Sequence, residues 1–242
     1  MRDFVDLWVY LSSTPLFGLT ATLTVYLVAQ AFYLRLGQAP LANPVLWSVV
    51  ILAGGLQVFG VPYQTYFSGA QFIHFLLGPA VVALAWPLWV RRAELRARWA
   101  RLLWAALLGG GAAAASAVLL AWLFGLPHEV VLSLAPKSVT APVAMGISEA
   151  IGGIPSLSAV FAVLTGLVGA LSGKYLFDLL RIPRDEAGWA ARGYALGTVS
   201  HGIGSARAIQ VNADAGAYAG LALGVQVILS SLLIPLVFKL IP

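Results

Sequence analysis

The chain has 242 residues, of which 60% are apolar and only 10% charged, and its mean hydropathy is +0.91. This excludes a soluble globular domain and indicates an integral membrane protein, with room for about six to ten passes of about 20 apolar residues each and for no soluble domain beside them. The net charge of +5 would suggest nucleic acid in a soluble protein, but here the basic residues flank apolar segments and mark a cytoplasmic face, so no nucleic-acid partner is expected.

Without cysteine there is no disulfide framework, thiolate metal site or cysteine nucleophile. The opening MRDFVDLWVYLSSTP carries two aspartates and no basic n-region with a small-residue cleavage site. It reads as an interfacial or partly inserted helix, not a cleaved signal peptide. Six spans follow, at about Pro15 to Leu34, Pro44 to Pro62, Ser68 to Val90, Leu102 to Gly125, Ile154 to Leu180 and Ala215 to Val237. Two further segments, about Glu129 to Ile151 and Ala190 to Gln210, are interrupted by Pro, Gly, Ser, Thr and charge and read as re-entrant or discontinuous helices.

The loop RRAELRARWAR sets Arg91, Arg92, Arg96, Arg98 and Arg101 against Glu94 and is a strong cytoplasmic signal; the Arg181 to Arg192 loop is a weaker one. If both are cytoplasmic, the proline-rich stretch between them must enter and leave on one side. LLGPAVVALAWPLW around Pro79 echoes LAPKSVTAPVAMGI around Pro136, and each precedes a small-residue helix, carrying Gly109, Gly110 and Gly111 or Gly166, Gly169 and Gly173. Repeats of about 15–128 and 129–242 within one transmembrane domain would fit a secondary transporter.

The first polar constellation is Pro136, Lys137, Ser138, Val139, Thr140, Ala141 and Pro142. Prolines at these positions predict a break near Ser138 to Ala141 and a half-helix from Pro142 to Ile151. The free N–H groups at that start, with the Lys137 ammonium and the Ser138 and Thr140 hydroxyls, suit a small carboxylate. The alternative is a kinked loop whose lysine snorkels to the interface. Glu149, ahead of Gly152 and Gly153, meets the negative end of the same half-helix. Burial there would raise its pKa and make it a coupling site; otherwise it is an exposed helix-end glutamate.

The second constellation, GTVSHGIGSARA, places Thr198, Ser200, His201, Gly202, Gly204, Ser205 and Arg207 together. Glycines let backbone approach a ligand, a guanidinium can grip a carboxylate through two parallel bonds, and His201 can donate or relay a proton. The competing reading is tight helix packing with Arg207 at the headgroups. Lys174 and Asp178, four apart, suggest a structural ion pair. His74 reads as a packing residue, and His128 with Glu129 sits in a loop with too few ligands for a metal. Trp8, Tyr10, Trp86, Trp89, Trp99 and Trp104 read as interfacial anchors.

LAPKSVTAPVAMGISEAIGGIPSLSAVFAVLTGLVGA and ALGTVSHGIGSARA, with LLGPAVVALAWPL, resemble the signature segments of the LrgB/CidB family, and the resemblance covers almost the whole chain, weakest in the first sixty residues. It implies an all-α multi-pass bundle with two discontinuous or re-entrant helices, of the cation/proton antiporter or bile-acid symporter type with inverted repeats. The family includes holin-like and antiholin-like effectors of murein hydrolase export and autolysis, plant plastid glycolate and glycerate exchangers, and bacterial pairs linked to pyruvate uptake. It also implies a bacterial inner (cytoplasmic) membrane, a small hydrophobic LrgA/CidA-like companion subunit and homo-oligomers. Gly146 departs from the pattern, since many members carry an acidic residue there, which leaves Glu149 to act alone.

The reading is a proton- or cation-coupled carrier of small monocarboxylates of the pyruvate, glycolate or glycerate kind. The substrate would rest between Lys137 to Thr140 and Ser200 to Arg207, with Glu149 titrating as the two sides open in turn. No catalytic residue, cofactor or metal is expected. The alternative is a holin-like effector that needs a helix-packing surface and no pocket. An enzyme is disfavoured because no nucleophile elbow is present.

Overall fold

The computed structural model describes residues 15–240 apart from residues 77, 78, 80, 81, 83, 84 and 91, and the described residues are helical with no strand. They form two compact units, Met1–Val82 and Ala83–Pro242. The first holds α1 (Pro15–Arg35), a 3-10 turn (Pro40–Ala42), α2 (Pro44–Val58) and α3 (Tyr63–Phe75). Asn43 starts α2 by accepting hydrogen bonds from the Val45 and Leu46 amides at 2.9 and 3.2 Å, with Pro44 in the first turn where a missing donor costs nothing. α1 meets α3 at Gly18, where any side chain would overlap the Tyr66 carbonyl, and at the 2.7 Å bond between the Thr22 and Tyr66 hydroxyls.

The second unit holds α4 (Ala85–Val90), α5 (Arg92–Leu123), α6 (His128–Leu134), α7 (Ala141–Ile151), α8 (Pro155–Leu179), α9 (Glu186–Val211) and α10 (Ala213–Leu240). Four helices among the described residues are long and apolar enough to cross a membrane: α1, α5, α8 and α10. The helices α6 and α7, of 7 and 11 residues, are each shorter than a span needs. The Ser158 hydroxyl donates to the Ser133 carbonyl at 2.8 Å and the Ile154 amide donates to the Ser133 hydroxyl at 2.7 Å, so the end of α6 lies against the start of α8. A straight α7 would carry the chain about 16 Å away from α6. It must therefore double back, and α6 and α7 form a hairpin whose open end sits at the amino terminus of α8.

α9 reverses as well. His201 has φ 41° and ψ −133°, far outside helical values, and the chain bends there. A side chain on Gly204 would lie 2.9 Å from the Leu196 carbonyl oxygen, whereas in a straight helix those residues are about 12 Å apart. Residues 202–211 would lead about 15 Å from the bend, yet Gly193 and Gly197 rest with no room for a side chain on the Ala215 and Ala219 carbonyls. Only a return path satisfies both contacts. The arms 186–200 and 202–211 thus form a second hairpin, and Asn212 then starts α10 by accepting from the Asp214 and Ala215 amides.

This second hairpin opens at the other end of α8. Arg192 on its entering arm donates to Asp178 at 2.9 Å and to the Ile182 carbonyl, and Asp178 also accepts from Arg184 at 2.9 Å. The order of hairpin then long helix occurs twice, over 128–179 and 186–240, with opposite sense along α8.

Several expectations are corrected. The span Ser68 to Val90 is not one helix, because α3 ends at Phe75 with Leu76 as its cap. α2 is shorter than the expected Pro44 to Pro62, because the chain turns at Gly60 with φ 64° before Pro62. Most of the RRAELRARWAR loop is the start of α5, since Arg, Ala, Glu and Leu are good helix formers. His128 and Glu129 form the first turn of α6, not a loop. Asp178 pairs with the two arginines, not with Lys174, whose ammonium lies 6.0 Å from the Tyr175 ring. His74 is exposed and stands edge-on to Phe67 at 5.7 Å. The opening segment with Trp8 and Tyr10 and six of the fourteen residues of the echo around Pro79 lie outside the described residues.

Candidate functional site

The two hairpins meet at their tips. A side chain on Gly202, just past the bend of α9, would begin 4.0 Å from the γ-methyl of Thr140, the residue that precedes α7. α7 and the returning arm of α9 both start here, so two helix amino termini, with unpaired N–H groups and positive dipole ends, face the same junction. Thr140 does not cap α7, and its hydroxyl is buried without a hydrogen-bond partner.

The glycines of α8 make the junction possible. On Gly169 a side chain would overlap the Ser200 hydroxyl; on Gly166 it would lie 2.9 Å from the His201 ring and from Ile203; on Gly173 it would lie 2.9 Å from Leu196. They were expected to let backbones approach, and what they admit is the side chains of the second hairpin's tip. The buried His201 Nε2–H donates to the Ala162 carbonyl at 2.7 Å, and this fixes the ring as an anchor of the bend.

Beside the junction a cleft of about 510 Å³ is lined by Lys137, Thr165, Ser172 and Ser200 among apolar residues that include Phe161 and Leu196. The cationic residue of the first break and a hydroxyl of the second thus share one space. Ser138 faces elsewhere: it is buried, its hydroxyl is unpartnered, and it lines a separate small cavity with Gln226 and Ser230. Ser205 donates to the His201 carbonyl at 2.8 Å and Gly204 closes the hairpin. Arg207 is half-buried on the returning arm, engaged with a neighbour, and does not line the cleft; six residues along a helix place it about 9 Å from the bend. Glu149 lies on an exposed face of α7, so the expected buried carboxylate is not formed.

Sequence reasoning passed over three polar positions. Arg192, in sequence one charge of a cytoplasmic-type loop, is 5% exposed and lies between the Phe177 and Trp189 rings at 5.6 and 5.4 Å. Ser133 joins hairpin 1 to α8. Gln226, buried in α10, was legible as a lone amide within LALGVQVILSS.

Residues 22–240 match the LrgB-like family. The chain belongs to the LrgB family. Among its relatives, an uncharacterized protein of Haemophilus influenzae is 37% identical over 82% of this chain and 84% of its own length. YxaC of Bacillus subtilis is 34% identical over 89% of this chain and 92% of its own. The holin-like protein CidB of Staphylococcus aureus is 31% identical over 83% and 86%. No solved structure matches the chain. The resemblance of the two signature segments to LrgB/CidB is thereby confirmed, and both segments form the hairpins of the second unit.

Proposed function

We propose that this LrgB-family protein is a secondary carrier of small monocarboxylates of the pyruvate, glycolate or glycerate type, coupled to a proton or cation and resident in the bacterial inner membrane. The supporting observation is the tip junction: two helix amino termini converge beside a cleft that Lys137 and Ser200 share. Amides, dipoles and an ammonium all favour an anion, and the space suits a few heavy atoms. The opposite sense of the two hairpins within the second unit supports an antiporter- or symporter-like arrangement, where motion of either hairpin would open the junction to its own side. A homo-oligomer and a small hydrophobic companion subunit belong to the same reading.

Radiolabelled pyruvate and glycolate counterflow in proteoliposomes of the purified chain tests it. Wild type should exchange at least one of them, and Lys137→Ala should lose that exchange while staying monodisperse. No exchange by wild type would end the proposal.

A second reading has its own support. The staphylococcal relatives are named holin-like, which speaks more directly for an effector of murein hydrolase export than any relative's name does for transport. Altered autolysis in producing cells, together with absent counterflow, would select this reading.

A further inference from the structure

We infer that the cavity between Ser138, Gln226 and Ser230 is a binding site for a bare monovalent cation of sodium size. The inference deepens the carrier reading by naming the coupling ion. The cavity lies among α5, the break of hairpin 1 and α10, measures about 70 Å³, and is otherwise apolar. Ser138, Gln226 and Ser230 are 4%, 6% and 5% exposed. Two of their oxygens are orphans: the Ser138 hydroxyl and the Gln226 amide oxygen have no hydrogen-bond partner, while the Gln226 amide nitrogen donates to the Ser230 hydroxyl at 2.9 Å. Two unsatisfied acceptors around one space are costly unless something positive or hydrogen-donating fills it.

The donor chemistry selects the occupant. All three side chains are neutral oxygen ligands, and no group of three His, Cys, Asp or Glu stands among the described residues. A divalent ion would need carboxylates to repay its dehydration, and a bound proton would need a titratable group. A monovalent ion asks only for oxygens, and the volume leaves room for a water beside it. Room for the amide is built in. A side chain on Gly110 of α5 would overlap Gln226, so the middle glycine of the Gly109 to Gly111 run is there to admit this residue.

Coupling follows from the chain itself. Lys137 lines the anion cleft and Ser138, the next residue, lines the cation cavity. A cation on Ser138 and an anion beside Lys137 are thus held by one short break, each reducing the cost of the other's charge in a low-dielectric interior. Closing the break around one ion preorganises it for the other.

The test is equilibrium binding of radioactive sodium to the purified full chain without any organic anion, alongside unfolding midpoints in sodium, potassium and choline chloride at equal ionic strength. Wild type should retain sodium near one per chain, with a midpoint raised in sodium over choline. Gln226→Leu and Ser138→Ala should each lose at least about tenfold in sodium affinity, in line with the loss of a metal-site partner. Ser116→Ala, at an exposed position on α5, should bind as wild type. If Gln226→Leu does not fold, Ser138→Ala and wild type still decide. No sodium retention by wild type, with equal midpoints in the three salts, would show a cavity filled by water and overturn the inference. Binding without counterflow would instead sink the carrier reading and leave the site standing.

Discussion

Thr140 and Gly202 come from breaks in different hairpins and meet with room for one methyl group between them. Their contact is the point where the first hairpin, entering beside the amino terminus of α8, touches the second, entering beside its carboxyl terminus. Each break leaves amides that no helix satisfies. Placing the two together concentrates unsatisfied donors in one spot, which a membrane interior tolerates only where a ligand or water can answer them. Neither hairpin alone would make such a junction.

The glycines on α8 and α5 are not equivalent, and alanine should sort them. Gly169→Ala drives a methyl into the Ser200 hydroxyl and should lower stability by about 1–3 kcal/mol. Gly111 has nothing within 4 Å, so Gly111→Ala should be neutral or stabilising by up to about 1 kcal/mol. Thermal unfolding in detergent reads both. Equal losses at the two positions would mean that α8 does not hold the second hairpin as described.

Ser133 is the clasp of the first hairpin. In Ser133→Ala the Ile154 amide loses its acceptor, while the bond from Ser158 to the Ser133 carbonyl remains. A loss of about 1–3 kcal/mol is expected for the stranded donor. Hydrogen exchange should also quicken at Ile154 and not at the tip of the second hairpin. Uniform quickening throughout the second unit would show that the clasp is not local.

Much of this was legible in the sequence, for physical reasons that also mark where legibility stops. Pro136 and Pro142 bracket the first break because proline restricts its predecessor and suits a first turn, so both the break and α7 were foreseeable. The second bend was visible only as polarity among glycines. Its reversal is set by a non-glycine residue, His201, at positive φ and held by the distant Ala162 carbonyl, and no local pattern announces that. Glu149 stayed open between a buried and an exposed reading because a helix-end carboxylate reads alike whether its face is covered or bare. The place of Arg207 was not legible either, because spacing along the chain does not show that it stands apart from the residues lining the cleft.

Arg192 and Arg184 share one carboxylate but should differ in worth. Arg192 is buried and also holds the Ile182 carbonyl, so Arg192→Leu, which removes both bonds, should cost more than loss of Arg184. Arg184 has a side chain 59% exposed, and Arg184→Ala should cost about 0–1 kcal/mol. Denaturation of the two variants side by side gives the ranking. The reverse order would remove Arg192 as the staple of the second hairpin.

The opposite sense of the hairpins can be read directly in membranes, because the chain has no cysteine to replace first. Glu129 and Ala150 lie at the open end of the first hairpin and Glu186 at the open end of the second, and all three are exposed. Single Glu129→Cys, Ala150→Cys and Glu186→Cys variants therefore report the two ends without disturbing packing. A membrane-impermeant maleimide added to intact spheroplasts should label positions 129 and 150 together. Position 186 should react only after permeabilisation, the outcome expected if the arginines flanking it mark the cytoplasmic side. Labelling of all three from one side would mean that both hairpins open the same way, and the tips could not then meet from opposite faces. Labelling of 129 without 150 would show that α6 and α7 cross the bilayer after all.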